Sequence, residues 1–251
     1  MVGTVQYYPT EADALATTNI LGSSGVYVVN GIAFGYANWR IASNSTGSSS
    51  QSVVYTTGNS LNSPGAYYLY PGAPCFLEGT KILCQVDGVD EYRPIEEIRC
   101  GMLVKTSRDG YKKVEVIAKG PIENADDNER TENRLYKCAP QNYPGLLRDL
   151  YITGCHSILV DSLTDVQRET TVKKLGQIYV TDKKYRLMAC VDERAEPWNS
   201  LGSYTIWHLA LENSDTKMNY GIYAEGLLVE TCSINFLANR SNMTCQGINS
   251  S

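Results

Sequence analysis

The chain has 251 residues, 43% hydrophobic and 20% charged, which fits a globular protein with its own core and excludes a fibre or a disordered chain. Lys and Arg number 22 against 27 Asp and Glu, a net charge of −5 and the wrong sign for neutralising phosphate, so nucleic acid is not an expected partner. No apolar run reaches the ~20 residues of a membrane span, and the opening MVGTVQYYPTEADALATT carries acids where a secretory signal carries bases, so the expected location is intracellular and cytoplasmic.

Charge is distributed unevenly along the chain. Residues 1–74 hold only Glu11, Asp13 and Arg40, and Pro71-Gly72-Ala73-Pro74 marks the joint with the rest. Within that stretch GVYVVN and GIAFGYANWRIA read as strands meeting at Asn30-Gly31, a dipeptide suited to a tight hairpin. Residues 43–52 read as a Ser/Gly-rich loop, followed by a strand SVVYTT and an aromatic run AYYLY. A tyrosine-rich β segment with so few charges defends its edges poorly. Residues 1–74 are therefore expected either to dock onto a protein partner or assembly, or to pack as a small sandwich-like subdomain on the rest of the chain.

From Cys75 onward short strands alternate with turn signals. Strands are predicted at 80–84, 103–106, 113–118, 135–139, 151–153, 157–160, 177–180, 186–191, 205–211, 221–224 and 227–229, with Asp109-Gly110 as a hairpin tip. One helix is predicted over 164–175, opened by the capping-box pattern Thr164-Asp165-Val166-Gln167 and closed by Lys173, Lys174 and Gly176. The predicted fold class is mainly β: a pseudo-barrel of intertwined hairpins with one short helix, preceded by the small N-terminal β segment. Residues 233–251 read as a polar C-terminal tail. The eight cysteines contain no CxxC pair, and the chain has two histidines, so reduced thiols are expected and no metal site is. Neither a P-loop nor G-x-G-x-x-G occurs, so no cofactor is expected. The pairs Glu96-Glu97 and Asp126-Asp127 are assigned to solvent.

Chemistry points to three stretches. Cys75 opens Cys75-Phe76-Leu77-Glu78-Gly79-Thr80-Lys81-Ile82-Leu83; His156 closes Thr153-Gly154-Cys155-His156; His208 lies in Tyr204-Thr205-Ile206-Trp207-His208-Leu209. The first, with Arg93-Pro94-Ile95-Glu96-Glu97-Ile98-Arg99-Cys100-Gly101 and Leu103-Val104-Lys105-Thr106 after it, resembles the N-terminal motif of the Hint family of hedgehog-type and intein self-processing domains. Thr153-x-x-His156 resembles their T-x-x-H motif, and YTIWHLAL…NYGIYAEGLLVETC resembles their closing strand pair. The similarity covers Cys75 to about Cys232, and the form it most resembles is the Hint-type proteins of large DNA viruses.

The resemblance implies a domain at 75–232 that attacks the peptide bond between Pro74 and Cys75. Cys75 would be the nucleophile, converting that bond to a thioester in an intramolecular step. His156 would donate a proton to the Cys75 nitrogen, and Thr153 would orient or polarise the scissile bond. His208 stands where relatives often carry Asp or Cys and would assist the first step. Where inteins end in His-Asn this chain has Glu230-Thr231, which cannot cyclise, so Cys232 is expected to be an ordinary thiol and splicing is excluded; at most, cleavage follows. The alternative is a Hint scaffold without activity, a structural component such as a minor capsid or virion-associated protein docked through residues 1–74.

Overall fold

A computed structural model describes residues 73–239, 241 and 243–246 and, upstream, the backbone of five strands within residues 4–68. The chain divides into two compact units, Met1–Pro71 with Lys173–Gly176 and Gly72–Val172 with Gln177–Ser251.

The five strands of the first unit are β1 (Thr4–Tyr8), β2 (Gly22–Val29), β3 (Ile32–Gly35), β4 (Val53–Thr57) and β5 (Ala66–Tyr68), arranged antiparallel in the order β3-β2-β1-β4-β5. β2 and β3 close on the pair Val29↔Ile32, which leaves two residues for the connection; Asn30-Gly31 itself, like the 43–52 loop, lies outside the described residues. The central strand, β1, had no assignment from sequence, because five residues ending before Pro9 carry neither a turn signal nor a long alternation.

The second unit contributes β6 (Phe76–Leu77), β7 (Lys81–Val86), β8 (Val89–Pro94), a 3-10 turn (Ile95–Glu97), β9 (Leu103–Lys105), β10 (Tyr111–Asn124), β11 (Leu135–Cys138), β12 (Leu150–Thr153) and β13 (Ser157–Val160). Helix α1 (Asp165–Leu175) follows, then β14 (Val180–Thr181), β15 (Lys184–Met188), β16 (Glu196–Pro197), β17 (Gly202–Leu211), β18 (Gly221–Ala224), β19 (Leu227–Glu230), α2 (Ile234–Asn239) and β20 (Thr244–Gln246). Among the described residues fifteen strands form one sheet, ordered β14-β15-β13-β19-β18-β7-β9-β10-β17-β6-β12-β11-β16, with β8 on β7 and β20 on β10. Each of the pairings in this unit's strand ladder is antiparallel, and hairpins of consecutive strands alternate with pairings between strands far apart in sequence, so the molecule is mainly β with interleaved hairpins, as its sequence pattern implies.

Local chemistry sets the hairpins. Three connections have two residues, both left-handed: Asp87-Gly88 (φ 50 and 83), Asp182-Lys183 (φ 52 and 66) and Glu225-Gly226 (φ 49 and 91). That is the type I′ geometry whose twist matches the flanking strands. Helix α1 begins on a reciprocal capping box: Gln167 N donates to Thr164 Oγ1 at 3.2 Å and Thr164 N to Gln167 Oε1 at 3.0 Å.

Within the second unit the long strand β10 bridges β9 and β17. Its first residues pair with β9, and the strand from Val114 to Asn124 pairs with β17, shifting register between Val114 and Val116. Two differences from the sequence reading concern the C-terminal stretch. The described residues hold two helices where the sequence reading has one, and the stretch read as a polar C-terminal tail contains α2 and β20. α2 buries Leu237 against Val116, Ala118, Ala210 and Cys232, and β20 pairs with residues 117–119 of β10 on the edge opposite β17. A six-residue helix opened by Ser233 Oγ without a partner box, and a three-residue strand, are too short to announce themselves by periodicity.

Candidate active site

Strand β6 is two residues long, yet it is wedged between β12 and β17: Phe76 pairs with Ile152 and Trp207, and Leu77 with Ile206. Glu78 secures the exit, its N–H donating to Thr205 O at 3.0 Å and its Oε2 accepting the Trp207 indole N–H at 2.9 Å. Cys75 is thereby held at the mouth of β6, fully buried.

Thr153 clasps Cys75 from both sides. Cys75 N donates to Thr153 Oγ1 at 2.8 Å, and Thr153 N donates to Cys75 O at 2.9 Å. The same hydroxyl donates to Ala73 O at 3.3 Å and lies 3.5 Å from Cys155 Sγ. One buried oxygen thus touches the chain on either side of the Pro74–Cys75 bond.

The three-residue spacing of Thr153 and His156 has a geometric cause. His156 N donates to Thr153 O at 2.9 Å, closing a turn around Gly154 and Cys155. Gly154 is obligatory there, since a Cβ would stand 2.2 Å from Thr131 O and 2.7 Å from the Tyr136 ring. The imidazole of His156 is buried, with Nε2 3.2 Å from Glu230 O. A carbonyl only accepts, so Nε2 is assigned the hydrogen and Nδ1 keeps the lone pair. Nδ1 has no hydrogen-bond partner among the described residues, and the backbone of Cys75 lies against the ring.

Phe76 joins the two histidines. Its ring centroid lies 4.3 Å from that of His156 and 5.3 Å from that of His208, and the imidazoles are 5.0 Å apart, edge to face. His208, opposite Ala118 on β17, is fully buried with neither ring nitrogen hydrogen-bonded among the described residues. Burial lowers the His156 pKa to about 4, and burial followed by the His156 charge lowers that of His208 well below the ordinary value. Both rings are neutral at pH 7. Burial, reinforced by Cys155 and Cys232, raises the Cys75 thiol well above its ordinary range, so it rests as S–H.

All four sequence-predicted side chains, Cys75, Thr153, His156 and His208, therefore belong to one buried neighbourhood. The Cys75 nitrogen gives its hydrogen to Thr153 and not to His156, and Thr153 accepts that bond while donating to the carbonyl of Ala73 and not of Pro74. Glu230 is a member that composition and motif reading overlooked. Besides its carbonyl contact to His156, its carboxylate accepts Ser157 N at 3.1 Å and pairs with Arg186 at 2.9 Å. Thr231 is consumed by structure: N to Tyr220 O, Oγ1 from Tyr220 N, O from Asn219 Nδ2. Cys232 is buried with a raised pKa, chiefly from burial. The acidic pairs are not wholly solvent groups, since Glu96 accepts Gly79 N at 2.8 Å and Asp127 pairs with Arg134 at 2.5 Å.

All eight cysteines are free thiols, and among the described residues no three His, Cys, Asp or Glu side chains converge to hold a metal ion. No described helix is long and apolar enough to cross a membrane.

Neither a protein-family model nor a curated protein matches the sequence. Among solved structures, a crystal structure of the gp41-1 intein is similar at a TM-score of 0.34 and 14% identity, with 63% of this chain and 98% of that chain covered. So weak a likeness decides nothing about the reaction.

Proposed function

We propose that this chain is a Hint-type self-processing protein in which Cys75 attacks the Pro74 carbonyl, giving a thioester and, with an added nucleophile, cleavage without splicing. The observation that supports it is the double clasp of Thr153 on Cys75, which fixes the scissile nitrogen in a buried site beside two neutral imidazoles. In the step, the Sγ–C bond to Pro74 forms and the C–N bond to Cys75 breaks. The thiol proton passes to the lone pair of His156 Nδ1 and then to the departing nitrogen, so no bulk proton is needed. Thr153 Oγ1 holds the amide hydrogen throughout, and Phe76 and the Glu230 carbonyl hold the His156 ring.

The rate is set low by the same burial. Burial raises the pKa of the Cys75 thiol and lowers that of the His156 imidazole, so proton transfer from one to the other runs uphill. A thioester can leave the site only by water or an external thiol, because Glu230-Thr231 offers no cyclising side chain. On a denaturing gel, wild-type protein incubated with dithiothreitol should release a fragment of residues 1–74. Cys75→Ala should release none, and Thr153→Val and His156→Gln should release it at least about tenfold more slowly. A wild type that stays intact removes the activity.

A second reading is favoured by the protonated, enclosed thiol and the unpartnered His208: a Hint scaffold that no longer cleaves and serves as a structural component, including of a virus particle, docked through residues 1–74. In that case the wild type and Cys75→Ala remain equally intact, and removing residues 1–74 abolishes association with the assembly.

A further inference from the structure

The Cys75 thiol is shut in by the last described stretch of the chain. Its Sγ lies 3.6 Å from Met243 Sδ. Met243 packs on the cluster of Cys75, Leu135 and Ile206, and its Cγ lies 3.6 Å, ordinary contact distance, from where a Cβ on Gly120 of β10 would stand. Two anchors hold Met243 in place. On one side β20 pairs with β10 through Ile117↔Gln246, Ala118↔Cys245 and Lys119↔Thr244. On the other, α2 seats Leu237 in the Val116–Ala118–Ala210 cluster. Ser241 Oγ and Cys245 Sγ both donate to Leu237 O, at 2.6 and 3.2 Å, tying helix to strand.

This stretch covers the sheet without completing it. β10 is paired with β17 along the whole length that β20 touches, and Cys232 N donates to Leu209 O at 3.1 Å before the chain enters α2. Three register pairs on an outer edge open at far lower free energy than the strands beneath.

We propose that α2 and β20, with Met243 held between them, form an autoinhibitory strap: seated, Met243 covers the Cys75 sulfur; lifted, it opens the site, so that the thiol can be labelled and the thioester it forms can be reached by an external nucleophile. The proposal deepens the self-processing reading and rests on Cys75 as the nucleophile of that reading. Opening of the strap then sets how often an external nucleophile reaches the thioester formed at Cys75, so the full chain should cleave slowly and the chain without the strap faster.

Iodoacetamide alkylation, mapped to each cysteine by peptide mass spectrometry, tests it on the full chain, on the chain ended after Ser233, and on Met243→Ala. Exposed Cys100 gives the fast limit, and Cys84 and Cys138, buried on β7 and β11, give the slow limit and report an intact fold. In the full chain Cys75 should react as slowly as Cys84 and Cys138; in both variants it should react at least about tenfold faster while those two stay slow. A Cys75 rate unchanged by either change, or a full-chain rate equal to that of Cys100, overturns the strap. Fast Cys84 and Cys138 in the shortened chain would signal unfolding, and Met243→Ala, which removes a half-buried side chain, then decides. Faster Cys75 labelling with no fragment under dithiothreitol refutes cleavage and leaves the strap standing. Efficient cleavage of the full chain with unaltered labelling in the variants refutes the strap alone.

Discussion

The Thr153 hydroxyl holds the fold at the joint, and the same contact would serve the proposed reaction. The hydroxyl is the acceptor for a buried amide, and Val in place of Thr153 keeps the volume while orphaning that N–H, so Thr153→Val should lose about 1–3 kcal/mol in urea unfolding and Thr153→Ser far less. Equal midpoints for Val and Ser would show that the clasp is not formed. His208 presents the reverse situation, a buried polar ring with no hydrogen bond to compensate its desolvation. His208→Leu should therefore match or exceed wild-type stability by about 1–3 kcal/mol, and a clear loss would mean the ring has a partner. Acid makes a further distinction. The folded His156 pKa of about 4 lies below the unfolded 6.5, so the unfolded chain takes up the proton first; the stability is whole above pH 6.5 and falls as pH drops toward 4, by about 2 kcal/mol at pH 5. His208 acts in the same direction. The gap between urea midpoints at pH 7 and pH 5 should narrow in His156→Phe, the remainder belonging to His208, and an undiminished acid loss in that variant would place the sensitivity elsewhere.

At the scale of elements, what could be read from sequence was what is local. Helix α1 was legible because its capping box lies within four residues, and the Thr153–His156 spacing was legible because a single turn enforces it. The hairpin at Asp109-Gly110 shows in the sequence, and Gly110 does adopt a φ of 67° between β9 and β10. The tip at Asp182-Lys183 escaped notice because lysine is an unexpected occupant of the left-handed region. Lys183→Gly should consequently raise stability by about 0.5–1 kcal/mol, and a loss would show that the lysine side chain compensates its backbone. Gly154→Ala, by contrast, meets the Thr131 carbonyl and the Tyr136 ring, and should destabilise by about 3 kcal/mol or more, with Gly120→Ala, which has ordinary contacts, near neutral. The contribution of Glu230 could not be read because it acts through a backbone carbonyl, which any residue supplies. That of Met243 could not be read because it meets Cys75 across 168 positions of chain.

Along the whole molecule an almost uncharged N-terminal sheet lies upstream of the joint and nearly all the Lys, Arg, Asp and Glu residues lie downstream, with the proposed nucleophile at residue 75. Alkaline behaviour belongs to this scale, because five buried thiols, Cys75, Cys84, Cys138, Cys155 and Cys232, all have raised pKa values with burial as the leading cause. Their stabilising effect is complete below pH 9 and is lost as pH rises beyond it. Cleavage itself is best tested by the chemical form of its product. With hydroxylamine added to folded protein whose strap has been removed, intact-mass analysis should find residues 1–74 ending in a Pro74 hydroxamate, together with a partner chain that begins at a free Cys75 amine, and neither in Cys75→Ala. A single uncut mass after prolonged exposure, or the same cut in Cys75→Ala, would contradict an acyl shift at this joint.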